Sequence, residues 1–267
     1  MFIKTKEFKQ RDNDVYFIEV LFDKIIINDN YDGILILDTN MNLIKKLNIF
    51  KGIIVYSLFI KNEEVLLYCP DNECIVYIDT STYEYNIIYL KNGKENLIFS
   101  TLYEWNENGV VLTTHNGDFY SICIREKTIQ KINNKELERL YPKVYKLSQK
   151  LKNFKAVKVF SDEYEAIIVD EEHNFSMLNN KEQFKTFLKN LPSGFHDIEF
   201  RNGAFAVVNE NSIEVFTSND KTLLFPNENC IFLKTRFFVK SGGIGLLALS
   251  SSQSNVSYSK IDMFEPQ

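Results

Sequence analysis

Residues 58–90 decide the fold, and they read LFIKNEEVLLYCPDNECIVYIDTSTYEYNIIYL. Four short runs of β-branched, aromatic and aliphatic residues alternate with three polar turns, at 61–64, 70–73 and 79–82. Short apolar runs bounded by Asn, Asp, Ser, Pro and Lys are typical of consecutive antiparallel strands. The stretch therefore predicts one four-stranded unit.

The same pattern recurs along the whole chain. Five further copies are predicted at 15–49, 99–132, 156–188, 196–225 and 231–264, and the last copy is predicted to end in two strands, 255–258 and 261–264. The third strands of the six copies are predicted to begin at Ile34, Ile75, Phe119, Phe175, Ile213 and Val256. Apart from one longer gap, this spacing is about 40 to 45 residues, which is typical of propeller blades.

The longer gap contains a helical insertion, predicted over about 134–153. Its apolar residues recur at helical spacing, and Pro142 interrupts them. These apolar residues are Leu137, Leu140, Val144, Leu147 and Leu151.

The repeat predicts an all-β fold: a six-bladed β-propeller of four-stranded antiparallel blades with a short helical insertion, forming a single domain over 1–267. The leading segment 2–8 alternates like a strand and could complete the last blade, which would remove an open sheet edge. Two packed sheets are the main alternative, since the copies share a pattern more than identical residues.

Composition bears on partners and location. The formal net charge of -5 and the sequence pI near 5.4 favour a basic protein partner and argue against direct nucleic-acid binding. No apolar run approaches the roughly 18 residues of a membrane span, and the first residues lack an apolar signal core. We expect a cytoplasmic protein that neither crosses nor binds a membrane.

The turns between second and third strands lie on one face of a propeller, and here they are acidic and lack Lys and Arg. Tight turns favour Asp whatever the function. The missing Lys, abundant in other turns, instead indicates a surface that attracts a basic partner. The predicted partner-binding residues are Asp29, Tyr31, Asp32, Asp71, Glu73, Asp118, Asp170, Glu171, Glu172 and Glu210.

The helical insertion is the basic exception. Its cations are Lys135, Arg139, Lys143, Lys146, Lys150 and Lys152, against the two acids Glu136 and Glu138. A solvated helix face, whose Lys stems cover apolar surface, explains this pattern. Contact with RNA or with a membrane surface is the other interpretation.

Catalytic motifs are weak. The sequence has no Gly-rich phosphate loop, nucleophile elbow or His-Glu metalloprotease helix. The first strands carry Glu19, Glu104, Asp197 and Glu199, which could line a central channel and bind a divalent cation. We predict no catalytic residues, no metal and no cofactor.

Two resemblances bear on the fold and on the function. The turn Asp79-Thr80-Ser81-Thr82, with its shorter echo Asp38-Thr39-Asn40, resembles the hairpins of bacterial quinoprotein-like and YVTN-type propellers, which implies the fold alone. In its acidity and lack of a catalytic motif, the chain resembles an immunity protein of the contact-dependent growth inhibition type. That resemblance implies a bacterial inhibitor that occludes the basic active-site groove of a cognate toxin, most often a nuclease.

The sequence therefore predicts a noncatalytic protein-binding propeller, a monomer within a heterodimeric complex. Two alternatives stay open. One is a metal-dependent hydrolase or lactonase with a carboxylate-lined central channel, and the other is a glycan- or peptide-binding module.

Overall fold

The structure is a computed structural model, and it describes most of the 267 residues. The described residues are 2–11, 14–61, 63–89, 99–106, 109–114, 116–123, 125–151, 155–159, 164–169, 174–179, 184–188, 194–201, 203–217, 220–227, 229–240, 243–254 and 258–267. Within them the chain forms 24 strands and two helices.

The strands form six four-stranded antiparallel sheets. The first two are β2(Ile18–Leu21), β3(Lys24–Asp29), β4(Gly33–Asp38), β5(Leu43–Asn48), and β6(Tyr56–Lys61), β7(Glu64–Cys69), β8(Cys74–Asp79), β9(Glu84–Tyr89). The next two are β10(Phe99–Asn106), β11(Gly109–Thr114), β12(Phe119–Cys123), β13(Thr128–Ile132), and β14(Lys155–Val159), β15(Tyr164–Val169), β16(Phe175–Asn179), β17(Phe184–Leu188). The fifth is β18(Asp197–Arg201), β19(Ala204–Asn209), β20(Ser212–Phe216), β21(Lys221–Leu224).

The sixth sheet joins the two ends of the chain. Its order is β1(Phe2–Arg11), β24(Tyr258–Pro266), β23(Gly243–Ser252), β22(Cys230–Lys240), and β1 pairs antiparallel with β24 from Phe2 opposite Pro266 to Arg11 opposite Tyr258. The prediction of two strands, at 255–258 and 261–264, is therefore wrong. Residues from Tyr258 onward form one continuous third strand paired with β23, and the leading segment supplies the fourth. The expected start at Val256 lies outside the described residues.

Burial explains the sequence pattern of the middle strands. β3, β4, β7 and β8 are buried at nearly every residue, whereas β5 and β9 are mostly exposed. A strand covered on both faces reads as a continuous apolar run, and only a strand with one open face alternates. The second and third strands of these sheets are thus interior, and the fourth strands face solvent.

The chain divides into two compact units. The first comprises Met1–Tyr68, Ile78–Glu84 and Gly194–Gln267, and the second comprises Cys69–Tyr77 and Tyr85–Ser193. In the first unit the sixth sheet is packed on both faces. One apolar cluster joins it to β2–β5 through side chains such as Ile27 and Met263, and another joins it to β18–β21 through Val208 and Phe237.

The second unit carries the two helices, α1(Asn134–Leu140) and α2(Pro142–Leu151), called here the helical pair. Asn133 caps α1: its side chain accepts the N–H of Lys135 and Glu136, and the Glu136 carboxylate accepts the N–H of Asn133. α2 begins at Pro142, whose fixed φ suits a first helical position. No helix in the described ranges is long and apolar enough to cross a membrane.

The two Asp-Thr turns are built by local hydrogen bonds. Asp38 Oδ1 accepts the N–H groups of Asn40 and Asn42, both at 2.8 Å, and Asp79 Oδ1 accepts the N–H of Ser81 at 2.8 Å. The N–H and side-chain amide of Asn42 hold the pKa of Asp38 below its ordinary value. The Ser81 hydroxyl, which donates to Asp79 Oδ1 at 2.6 Å, and then the Ser81 N–H hold the pKa of Asp79 below its ordinary value. Local chemistry is therefore sufficient to explain the resemblance of these turns to other propeller hairpins.

Candidate protein-binding surface

Three tyrosines of the first unit lie together and are called here the tyrosine platform: Tyr16, Tyr31 and Tyr56. Tyr16 precedes β2, Tyr31 lies in the turn between β3 and β4, and Tyr56 begins β6. The ring centroids of Tyr16 and Tyr31 are 6.2 Å apart in a stacked arrangement, and those of Tyr16 and Tyr56 are 6.1 Å apart and tilted. Tyr56 is 47% exposed, so the platform presents aromatic surface to solvent.

Hydrogen bonds fix two of the three phenols. The Tyr16 hydroxyl accepts the N–H of Val55 at 3.0 Å, and burial raises the pKa of Tyr16 to about 12. The Tyr31 hydroxyl donates to Asp14 Oδ2 at 2.7 Å. This bond and the negative charge of the Asp14 carboxylate raise the pKa of Tyr31. Both phenols therefore stay neutral across the physiological pH range.

A buried asparagine holds the segment that carries Tyr16. Asn28 Oδ1 accepts the N–H of Tyr16 at 2.8 Å and of Phe17 at 3.1 Å. Its Nδ2 donates to the carbonyl oxygens of Asp14 at 2.6 Å and Asn30 at 3.0 Å. Asn28, fully buried in β3, thus ties the approach to β2 to the turn that carries Tyr31.

The same turn also orders the connection to β6. The Asp32 carbonyl accepts the N–H of Ile49 at 2.9 Å, and the Tyr31 carbonyl accepts the N–H of Ile53 at 2.8 Å. Asp32 Oδ1 accepts the N–H of Gly52 at 3.3 Å. Residues 49–53 lead into Tyr56, so this turn positions Tyr31 and the segment that carries Tyr56.

Two of the predicted acidic turn residues carry paired charges. Asp29 is only 7% exposed and pairs with Lys46 of β5 at 2.5 Å, and Asp118 pairs with Lys131 of β13 at 2.7 Å. The turns themselves lack Lys, but the fourth strand of the same sheet supplies one in each case. These two carboxylates therefore contribute less negative field than the sequence suggests.

The other predicted residues are spread over both units. Tyr31, Asp32 and Asp29 share one turn of the first unit, which also holds Glu210 in the exposed β19–β20 turn. Asp71, Glu73 and Asp118 belong to the second unit, where Asp71 is exposed and Glu73 half-buried. Asp170, Glu171 and Glu172 lie outside the described residues. Partner binding by these residues stays a prediction.

Carboxylates of the first strands gather around an arginine in the first unit. Arg236 of β22 donates from Nε and Nη2 to the two oxygens of Glu19 at 2.8 and 3.0 Å, and from Nη1 to Asp197 Oδ2 at 3.0 Å. Glu199 Oε2 lies 3.9 Å from Arg236 Nε, and the Thr235 N–H donates to Asp197. The Arg236 side chain is only 13% exposed, and the adjacent carboxylates raise its pKa.

This arginine cluster changes the interpretation of the predicted channel carboxylates. Glu19, Asp197 and Glu199 hold a guanidinium, which already occupies the acceptor positions that a divalent cation would need. The side chain of Glu104 lies outside the described part. Within the described ranges, no group of three or more His, Cys, Asp or Glu side chains is arranged to hold a metal ion.

Sequence reasoning missed Asn28, Arg236, Tyr16 and Tyr56. A signal was present for Arg236 and Glu19, because a charged residue inside an otherwise apolar strand needs a buried partner. Nothing in the sequence indicated which residue that partner is.

Comparison with known proteins places the fold. No protein-family model matches the sequence, and no curated protein matches it. The β-propeller domain of Myceliophteria thermophila Cps50 (Swd1) superposes with a TM-score of 0.64 at 10% identity, over 100% of both chains. The WD40 domain of Neurospora crassa Pan2 superposes with a TM-score of 0.56 at 7% identity, over 93% of this chain and 89% of that one. Virginiamycin B lyase of Staphylococcus aureus superposes with a TM-score of 0.52 at 14% identity, over 98% of this chain and 99% of that one.

These similarities show a β-propeller fold. The solved propellers include a WD40 domain and a lyase, so the fold by itself does not choose between binding and catalysis.

Proposed function

We propose that this β-propeller, with six blades formed by its six four-stranded sheets, is a noncatalytic protein-binding module whose tyrosine platform anchors a basic partner. The observation that carries the proposal is the platform itself: three tyrosines, one of them 47% exposed, held by Asn28 and by the turn at Tyr31 and Asp32. Tyrosine is enriched at protein interfaces because its rigid ring buries a large area at low entropic cost.

The charge beside the platform supports a basic partner. Asp14 is exposed, and its carboxylate accepts the hydrogen bond from the Tyr31 hydroxyl. Asp32 directly follows Tyr31 in the chain. Negative charge around an aromatic anchor raises the association rate with a cationic surface and disfavours anionic partners. Lys and Arg side chains of the partner also gain cation–π contact with tyrosine rings.

The specific partner we propose is a cognate toxin domain, with the chain as its immunity protein. The module would occlude the toxin's basic substrate groove and form a one-to-one complex in the bacterial cytoplasm. Co-expression with a basic domain encoded beside this chain tests it. Growth rescue by the chain, lost with Tyr31→Ala/Tyr56→Ala, is the expected result, and rescue by that variant would contradict the role of the platform.

Protein binding is tested by affinity purification from the host lysate with quantitative mass spectrometry. Three baits are compared: the native chain, Tyr31→Ala/Tyr56→Ala, and the matched control Tyr85→Ala/Tyr89→Ala, which removes two exposed tyrosines of β9. An interface hot spot contributes at least about 2 kcal/mol to binding. We therefore expect the affinity for a basic protein, and with it the amount of that protein recovered, to fall by about 30-fold or more with the platform variant alone.

A second candidate, glycan binding, follows from the same exposed aromatic surface. If the platform stacks on sugar rings, a glycan array will give signals that the platform variant loses, while the protein set recovered from the lysate is the same for all three baits. That combination would replace the protein-binding proposal.

A further inference from the structure

The helical pair carries four exposed cations that the proposed function does not use. Lys135 and Arg139 are four residues apart in α1, Lys143 and Lys146 are three apart in α2, and all four are exposed. Residues at these spacings lie on one side of a helix. The opposite side is occupied, because Leu137, Val144, Leu147 and Leu151 pack in an apolar cluster with Tyr103, Val111 and Ile132.

Little negative charge balances these four cations. The helical pair has two acidic residues, and the carboxylate of Glu136 is engaged in the capping box at Asn133, which leaves Glu138. Within the described ranges, Lys135, Arg139, Lys143 and Lys146 have no ion-pair partner, in contrast to Lys46 and Lys131. The four cations are therefore available to an external anion.

The residue types select among anionic partners. Three of the four cations are Lys, which is depleted at protein interfaces but is a common point-charge ligand of phosphate. An amphipathic helix inserts into a bilayer through a free apolar face, and here that face is buried in the second unit. A phosphate chain fits best, because it asks for several exposed cations and for no apolar contact.

We propose that the helical pair binds the phosphate backbone of a nucleic-acid strand. Tyr141 and Tyr145 are half-buried against the apolar cluster, and the Tyr141 hydroxyl lies 2.7 Å from the Ser121 hydroxyl, so the cations are the main contacts offered to a strand. Binding through phosphates alone does not read sequence. The net charge of -5 predicts no nucleic-acid partner for the chain as a whole, and the helical pair is a local exception to that charge.

The test is fluorescence anisotropy with labelled strands of about 20 uridines or 20 thymidines. Four contacts on a single strand predict a slope of log affinity against log salt of about -3, or a loss of roughly 60-fold between about 50 and 200 mM salt. Lys135→Gln/Arg139→Gln/Lys143→Gln/Lys146→Gln should weaken binding more than about tenfold at the lower salt concentration and flatten the slope. Gln retains helix propensity, and circular dichroism will check that the variant is folded.

A matched variant separates local contact from overall charge. Lys45→Gln/Lys51→Gln/Arg125→Gln/Lys127→Gln removes the same charge from exposed positions elsewhere and should change affinity less than about threefold. Equal weakening by both variants overturns the proposal. So does a peptide of about 20 glutamates that binds as tightly as the strands, which would indicate an acidic protein partner, or a tenfold preference for one strand, which would indicate base or sugar recognition. Tyr31→Ala/Tyr56→Ala should leave strand binding unchanged, so this test is independent of the proposed function.

Discussion

The tyrosine platform and the helical pair are built in opposite ways. The platform collects residues from three separate segments of the first unit, and a buried asparagine and turn backbone hold them. The helical pair is one continuous segment that caps its own first helix and buries its own apolar side. Hydrogen-bonded aromatic rings beside an exposed carboxylate suit a basic protein partner, whereas several exposed cations suit a phosphate chain. Long-range support should make the first unit sensitive to single substitutions, and local support should make the helical pair tolerant of them.

The largest expected effect is on the arginine cluster of the first unit. Arg236→Met leaves Glu19, Asp197 and Glu199 without their cation and should lower the free energy of unfolding by about 3 to 5 kcal/mol. Urea unfolding measures the loss. Lys234→Met on the same strand is the matched control and should cost less than about 1 kcal/mol.

The four Gln substitutions in the helical pair supply the other half of this comparison. They remove exposed, unpaired cations and should change the free energy of unfolding by no more than about 0.5 kcal/mol. If Arg236→Met were as mild as these, the arginine cluster would not support the first unit.

The next effect concerns Asn28, whose side chain holds the segment that carries Tyr16. Asn28→Ala removes four backbone hydrogen bonds from a buried site and should cost about 2 to 3 kcal/mol, with weaker partner binding because Tyr16 loses its anchor. Urea unfolding and the affinity purification measure the two changes. Asn42→Ala, at an exposed turn, is the control. Loss of stability with full partner binding would show that Asn28 supports the fold and not the platform.

Much of the fold could be predicted from the sequence, because alternation and turn residues are local signals. The helical insertion is confirmed, with a break at Pro142. The strand boundaries predicted for the last sheet are wrong because Ser259 and Lys260 of β24 are residue types common in turns. In the structure both stay paired with β23. The site was harder to predict, since its contacts are long-range: Arg236 and Glu19 are 217 residues apart, and Lys46 meets Asp29 only through strand register. Tyr31 was visible as an aromatic in an acidic turn, whereas Tyr16 and Tyr56 needed the fold to bring them to it.

A smaller effect is expected at the cap of the helical pair. Asn133→Ala removes the side-chain half of the capping box, in which Asn133 accepts the N–H of Lys135 and Glu136, and should cost about 1 kcal/mol. Hydrogen exchange should quicken in residues 134–140 while the first unit is unchanged. Asn134→Ala is the control, one residue further on. Faster exchange throughout the first unit would contradict the local construction of this segment.

The smallest effect is the titration of Tyr16. Its folded pKa of about 12 lies above the ordinary value of 10, so its contribution to stability is present below pH 10 and is lost as the pH rises from 10 through about 12, because the unfolded chain releases the proton first. The difference in ultraviolet absorbance between the native chain and Tyr16→Phe should therefore develop near pH 12. A difference centred at pH 10 would show that the Tyr16 phenol is not buried against Val55.

The central claim, that the tyrosine platform binds a protein, is tested most directly by site-specific photocrosslinking in living cells. A photoreactive phenylalanine replaces Tyr56 or, as a control, Tyr89, which is 62% exposed. We predict one basic protein adduct from position 56, absent from position 89 and abolished by Tyr31→Ala. Identical adducts from both positions, or an adduct from position 56 that survives Tyr31→Ala, would contradict the claim.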